Sequence, residues 1–345
     1  MAEARDARFP FALTTGRLRD QWHGMSRTGT LGRLFAHAGE PTLDLHPQEL
    51  QRRHWQDGDL VRVQSRRGAL VLPVRGSESV APMQAFIAMH WGPEWLGGGQ
   101  GGGVNALTSG AFCPQSRQPE LKHAAVRIEP AALPWQLVAA AWLPEDRALD
   151  LLTQLRSEFG HYGFASATPF GREPQPQVGV LFRAAATRPV DVERLAAVEH
   201  LLGLGTGPVL RYADVRAGQH RAMRLADGGS LQAFMLAGNA SAQGWVLDLL
   251  QQGGSAVAFG RALLAASASP PRAVAGRSPQ VCACFDVSEA RIAAAAPACP
   301  GNDDQRLQAL QSRLHCGTQC GSCLPALKSL LQRHPAAQGA QGIPA

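Results

Sequence analysis

Two short stretches near the end of the chain, Val281-Cys-Ala-Cys-Phe-Asp-Val287 and His315-Cys-Gly-Thr-Gln-Cys-Gly-Ser-Cys323, carry the most specific information in the sequence. The first holds a C-x-C pair, Cys282 and Cys284, and the second a C-x-x-C pair, Cys320 and Cys323. Four thiolates in two close pairs can hold a tetrahedral Zn²⁺ or a [2Fe–2S] cluster. Each pair adjoins a predicted helix. One runs over Val287–Ala296 with Ser288 as N-cap, and the other over Leu324–Arg333 with Pro325 in its first turn. Helix N-termini aim free N–H groups and positive dipole ends at anionic sulfur. Gly317 and Gly321 let the backbone turn close to the sulfurs. Cys299 and Cys316 lie in the same stretch, and Cys316 is near enough to compete as a ligand. A structural Zn site and a set of unligated buried thiols are the plainer alternatives.

Working outward, residues 281–334 form a small helical unit preceded by a Ser/Ala/Pro/Arg-rich linker over 267–280 and followed by a tail, 335–345, expected to be disordered. Residues 131–266 form an α+β domain. The expected elements are strand Leu137–Trp142, helix Arg147–Phe159, strands Gly163–Thr168 and Val178–Ala184, helix Val190–Leu204 and strand Val209–Val215. This βαββαβ order suits a ferredoxin-like arrangement. A hairpin of Arg221–Leu225 and Leu231–Leu236 follows, then short helices at Trp245–Gln251 and Gly260–Ala266. Residues 9–130 read as short strands, with a hairpin of Val61–Ser65 and Ala69–Val74 and a strand at Ala124–Ile128, which points to a barrel or sandwich.

The chain has 345 residues, enough for two or three domains with real cores. Its net charge of +6 suits anionic ligands without the concentrated basic face of a nucleic-acid binder. The best apolar run, Trp135–Leu143, is too short to span a membrane, and the charged N-terminus is no signal peptide. A cytoplasmic location is expected, with thiols or metal ligands rather than disulfides for the seven cysteines.

The cysteine-bearing region resembles the bacterioferritin-associated-ferredoxin-like [2Fe–2S] module, which implies Cys282, Cys284, Cys320 and Cys323 as cluster ligands. The N-terminal region carries a second resemblance. Phe9-Pro-Phe-Ala-Leu-Thr-Thr-Gly-Arg17, Arg19-Asp-Gln-Trp-His23 and Met25-Ser-Arg-Thr-Gly29 are similar to the start of the molybdopterin-dinucleotide-binding domain of the dimethylsulfoxide-reductase superfamily. Val104-Asn-Ala-Leu-Thr108 and the stretch from Cys113 to Lys122 resemble that domain's closing loops. The resemblance implies a double-psi β-barrel over 9–130, so the expected fold is mixed: barrel, α+β spacer and small helical cluster domain. Together the two modules most resemble the catalytic subunit of assimilatory nitrate reductase, in its C-terminal portion.

That resemblance implies a partial site for molybdopterin guanine dinucleotide, of the bis-cofactor type, and the residue types agree with it. Thr15, Gly16 and Arg17 offer a hydroxyl, close backbone approach and a guanidinium fork for an anion. Gln21 lies in the same motif, and Trp22 and His23 supply a flat face and a donor. The turn of Ser65, Arg67 and Gly68 presents backbone N–H groups. His90 precedes a Gly-rich loop and is placed to touch the cofactor or the core; Asn105 matches a base or pterin edge; Lys122 brings a point charge. Taken singly, the arginine and lysine are ordinary surface residues, Trp22 ordinary packing and His23 an ordinary structural histidine; only their joint order raises the functional reading. The run Gly97–Gly103 lacks the lysine of a phosphate loop and reads as a plain loop, and Cys113 reads as a small packed hydrophobe. No paired carboxylates call for acid–base chemistry.

The resemblance further implies an electron donor, a flavoprotein or ferredoxin, and molybdenum and [4Fe–4S] regions that this chain lacks. It is therefore expected to be inactive alone, with a separate N-terminal molybdenum subunit as one candidate partner and neither nucleic acid nor membrane. The competing readings are a non-catalytic electron-transfer module, another molybdopterin oxidoreductase, and a Zn-stabilised nucleic-acid binder.

Overall fold

The computed structural model describes residues 3–98, 102–171, 177–205, 207–274, 276 and 278–336. The middle of the Gly97–Gly103 loop, two residues of the expected linker and most of the tail lie outside the described residues.

The N-terminal third closes into a six-stranded barrel. Its elements are β1 (Phe11–Gly16), β2 (Leu43–Leu45), helix α1 (Pro47–Arg53), β3 (Leu60–Gln64), β4 (Ala69–Gly76), β5 (Gln84–Ala88) and, after the two-residue β6 (Leu96–Gly97), β7 (His123–Pro130). The order round the barrel is β1-β5-β2-β4-β3-β7. The β1/β5 and β2/β4 pairs are parallel and the rest antiparallel. Phe11 and Leu13 on β1 and Val61 and Val63 on β3 point inward in strict alternation. Full burial of each such side chain is worth roughly 1.5–3 kcal/mol. The hairpin expected at 61–74 is present, with Gln64 opposite Ala69.

The middle region is built on an antiparallel sheet containing β8 (Trp135–Pro144), β9 (Phe164–Phe170), β10 (Gln177–Ala186), β11 (Val209–Asp214), β12 (Gln219–Leu225) and β13 (Leu231–Gly238). Helices α2 (Glu145–Glu158) and α3 (Val192–Leu201) cover one face, and α4 (Gln243–Gln252) the other. This explains the unbroken apolar run on β8. Leu137, Ala139 and Ala141 face α2 and α3, whereas Val138, Ala140 and Trp142 face α4. The βαββαβ order holds, but the sheet order is β11-β12-β13-β8-β10-β9-β6. The place beside β8 expected for the fourth strand belongs to β13, and β11 stands at the edge. The hairpin β12–β13 buries more apolar surface than β11, whose burial is slight, so it wins the inner position. The expected helix Gly260–Ala266 is instead part of a 3₁₀ segment, Val257–Leu264, broken at Gly260 with φ +49°.

The barrel is tied to this sheet. β6 pairs with β9, Thr168 Oγ1 donates to the Gly39 carbonyl at 2.7 Å, and Arg183 meets Glu40 at 2.7 Å.

The C-terminal unit holds β14 (Gln280–Cys282), β15 (Val287–Ser288), α5 (Glu289–Ala295), α6 (Asp303–Leu314) and α7 (Leu324–Arg333). Ser288 caps α5 as expected, accepting the Arg291 N–H. Helix α6 was not anticipated; Asn302 and Gln305 form a capping box at its start. Buried Arg306 donates to the carbonyls of Ala296, Cys299 and Leu331 and so locks α6 against its neighbours. Among the described residues no helix is long and apolar enough to cross a membrane.

Candidate functional site

Because β1 and β5 run parallel, the chain leaves both at one end of the barrel. Gly16 pairs with Ala88, and the Met89 N–H donates to the Gly16 carbonyl at 2.9 Å. The loop beginning at Arg17 and the loop carrying His90 therefore start side by side. Arg17, Trp22 and His23 are exposed there, and Trp22 stands edge-on to His23 with ring centroids 5.5 Å apart. Arg27 lies 5.3 Å from the Trp22 ring.

His90 is 0% exposed, and neither ring nitrogen has a hydrogen-bond partner among the described residues. The Trp22 backbone faces the ring without forming a bond of ordinary geometry. Burial, then the positive charges of Arg17 and His23, hold its pKa below the usual histidine value. A buried neutral imidazole with an unmatched donor and acceptor costs about 1–3 kcal/mol. A polar, anionic ligand beside Arg17 and His23 would satisfy it, so this end of the barrel fits a pterin or phosphate group.

Other expected residues surround this point, several in roles different from those expected. The Thr15 hydroxyl donates to the Leu121 carbonyl at 2.8 Å and so anchors the segment bearing Lys122. Gln21 is buried, donates to the Leu34 carbonyl at 3.1 Å and accepts from Thr28, so it shapes the loop. Ser65 Oγ accepts the N–H groups of Arg67 and Gly68 at 3.1 and 3.4 Å, so those donors serve the turn itself rather than a ligand. Arg67 binds Glu3 at 2.6 Å and the Leu107 carbonyl at 2.9 Å. A Cβ on Gly68 would stand 2.8 Å from the Ala106 carbonyl oxygen, so only glycine lets the turn pass this closely. Asn105 is exposed, and its segment hangs from Trp91 through the Val104 N–H at 3.0 Å. Gly16 ends β1 against the Phe86 ring. Lys122 is exposed and, with His123 and Cys113, lines a cavity of about 790 Å³. Cys113 is not packed, as expected from sequence, but exposed. The Ser116 hydroxyl and nearby backbone N–H groups lower its pKa.

The four motif cysteines come together as two pairs that cross between the motifs. Cys284 Sγ is 3.3 Å from Cys320 Sγ, and Cys282 acts on Cys323, whose thiol it helps to raise. Cys282 and Cys323 are buried, whereas Cys320 is exposed. Among the described residues no three His, Cys, Asp or Glu side chains converge on one point suited to a single metal ion. The four motif thiols supply the ligand type and number that a [2Fe–2S] cluster takes. Burial pushes the thiols of Cys284 and Cys323 up, and the Ser322 hydroxyl, 3.2 Å from Cys320 Sγ, brings that thiol down. Cys316 lies fully buried beside Cys282, and burial raises it to about 11; Cys299 is buried and donates to the Ala295 carbonyl. Gly317 and Gly321 adopt φ of +80° and +72°, as the turn about the sulfurs requires.

Sequence reasoning missed Arg19, Asp20 and Ser322 as site residues. Arg19 grips Asp20 at 2.8 and 2.9 Å, and Asp20 Oδ1 lies 3.4 Å from Ser322 Oγ. The barrel loop thus touches the cysteine turn. No local pattern announces a contact between positions so far apart in the chain.

Comparison with known proteins agrees with this geometry. Residues 11–125 match the molydopterin dinucleotide binding domain, and residues 280–333 match the BFD-like [2Fe–2S] binding domain. A nitrate reductase of Klebsiella oxytoca is 32% identical over 348 aligned positions, covering 94% of this chain and 34% of that protein. A nitrate reductase of Synechocystis sp. is 40% identical across 38% of this chain and 18% of its own length. An F420-dependent formate dehydrogenase subunit alpha of Methanocaldococcus jannaschii is 32% identical across 37% of this chain and 18% of its own. Among solved structures, acetylene hydratase from Pelobacter acetylenicus overlaps 36% of this chain and 18% of its own at 20% identity, with a TM-score of 0.29. The chain spans about a third of the length of the Klebsiella relative. It carries a molybdopterin-dinucleotide-binding domain and a BFD-like [2Fe–2S]-binding domain, and 94% of its length is similar to part of the Klebsiella nitrate reductase.

Proposed function

We propose that this chain is the C-terminal, cofactor-binding and electron-entry portion of an assimilatory nitrate reductase. Cys282, Cys284, Cys320 and Cys323 hold the [2Fe–2S] cluster. Arg17, Trp22, His23, His90, Asn105 and Lys122 hold and orient part of the molybdopterin guanine dinucleotide. When bound, the cofactors supply one-electron intake at the cluster and removal of an oxygen atom from nitrate at molybdenum, giving nitrite.

The protein's own contribution is binding and orientation. His90 offers a neutral donor and acceptor, and Arg17 supplies positive charge beside it. Asn105 and Lys122 reach the same end of the barrel through links from Trp91 and Thr15. The electron donor is a flavoprotein or ferredoxin of the cytoplasm, docking where Cys320 is exposed. By itself the chain does not reduce nitrate.

The observation that carries this reading is the pairing of Cys284 with Cys320 and of Cys282 with Cys323 beside the loop that frames His90. The choice of nitrate is supported by the Klebsiella relative running through both domains, whereas the formate dehydrogenase matches little more than a third of the chain. Co-expression with the remaining portion of the Klebsiella enzyme, assayed for nitrite with a reduced viologen, tests it. Nitrite formed only when both parts are present supports the reading. An assembled, metal-loaded complex that oxidises formate and leaves nitrate untouched contradicts it.

A further inference from the structure

Among the described residues, a polar chain crosses the seam between the barrel and the cysteine turn. Cys320 Sγ lies 3.2 Å from Ser322 Oγ, Ser322 Oγ lies 3.4 Å from Asp20 Oδ1, and both Asp20 oxygens hold the Arg19 guanidinium. Asp20 is only 6% exposed and Arg19 20%. Arg19 also lies close enough to Cys323 and Cys282 for thiolate charge to act on it. Charges this well covered are screened by salt much less than surface charges. Arg19 and Asp20 sit between Arg17 and Gln21, so one loop borders the His90 neighbourhood on one side and the thiols on the other.

We infer that Arg19 and Asp20 are positioning residues for the cluster: Asp20 seats the cysteine turn on the barrel through Ser322, and Arg19 places positive charge beside the ligand sulfurs and so favours the reduced cluster. The inference rests on the proposed ligation by the four cysteines. Reduction adds one electron to the cluster, with no bond made or broken and no proton moved, and the donor loses that electron. The reduced state carries one more negative charge, so a nearby cation stabilises it more than the oxidised state. Ser322 donates its one hydroxyl proton to Asp20 Oδ1, so it serves the seam rather than the Cys320 sulfur. The opposing charge of Asp20 moderates the effect of Arg19.

The signs separate electrostatic tuning from mere support. Arg19→Gln removes the cation and lowers the reduction potential. Asp20→Asn leaves the cation without its partner and raises it. Loosening of the seam would admit water in both variants and move both potentials the same way.

The experiment is a dithionite titration of the full chain, reconstituted with iron and sulfide, followed by electron paramagnetic resonance. For Arg19→Gln the reduced-to-oxidised ratio at fixed potential is expected to fall at least tenfold, a shift of 59 mV for one electron. Asp20→Asn shifts upward, and Arg19→Lys stays within threefold of the unaltered chain. If Arg19→Gln fails to load, Asp20→Asn and Arg19→Lys decide by the same signs. Unmoved potentials, or shifts of one sign in Arg19→Gln and Asp20→Asn at full iron content, overturn the inference. Failure of the unaltered chain to take up iron overturns the ligand reading itself.

Discussion

The two candidate sites lie at one seam yet are built in opposite ways. The cysteine site draws its donors from two motifs of three and four residues, and those sulfurs touch chiefly one another. The barrel site draws single groups from loops around 15–23, 65–68, 90, 105 and 122, and much of its polar surface already bonds within the protein. The difference follows from what each must hold. A cluster needs a few strong, close, identical ligands, whereas a long dinucleotide needs many weak contacts spread over a surface. The first kind of site fails when one atom is lost, and the second degrades gradually.

The largest expected effect is therefore at a sulfur. Cys320→Ser should abolish the visible absorption of the reconstituted chain; retained colour at full iron content would show that this sulfur is no ligand. Next comes the scaffold beneath the sulfurs. Arg306→Met leaves three buried carbonyls without their donor and should cost about 3 kcal/mol in a urea titration of the C-terminal unit. On the barrel side, Gly68→Ala pushes a methyl group against the Ala106 carbonyl and should cost about 1–2 kcal/mol, read as a lower denaturation midpoint.

The smallest effect is a dependence on pH. The folded pKa of His90 lies below its unfolded value, so as pH falls the unfolded chain binds the proton first. His90 then leaves stability undiminished above the unfolded value of about 6.5, and stability falls as pH drops from there toward the folded value. His37, also lowered, acts with the same sign. Thermal midpoints measured from pH 7.5 to 5.0 should fall, and His90→Asn should make that fall shallower. An unchanged slope would place the proton elsewhere.

The same contrast governs what could be read from sequence. Helix α7 begins and ends where Pro325 and the apolar spacing place it, and Ser288 caps α5, because these signals are local. The capping box of α6 was equally local, but that helix is mostly polar around Leu307, Leu310 and Leu314, so periodicity did not reveal it. Strand order was not legible. Nothing in Val209–Asp214 shows that β13 rather than β11 would pair with β8, since pairing is decided by which strand buries more. The turn at 65–68 was correctly placed yet its role was misread, because a serine beginning a turn tends to bind that turn's own N–H groups. The Asp20–Ser322 contact joins two ends of the chain and has no local signature at all.

Iron and acid-labile sulfide analysis of the purified full chain, with an electron paramagnetic resonance spectrum after dithionite reduction, tests the cluster most directly. Two irons and two sulfides per chain, with a one-electron signal that disappears on reoxidation, is the predicted result. One zinc per chain, without sulfide or signal after reconstitution with iron, would contradict it.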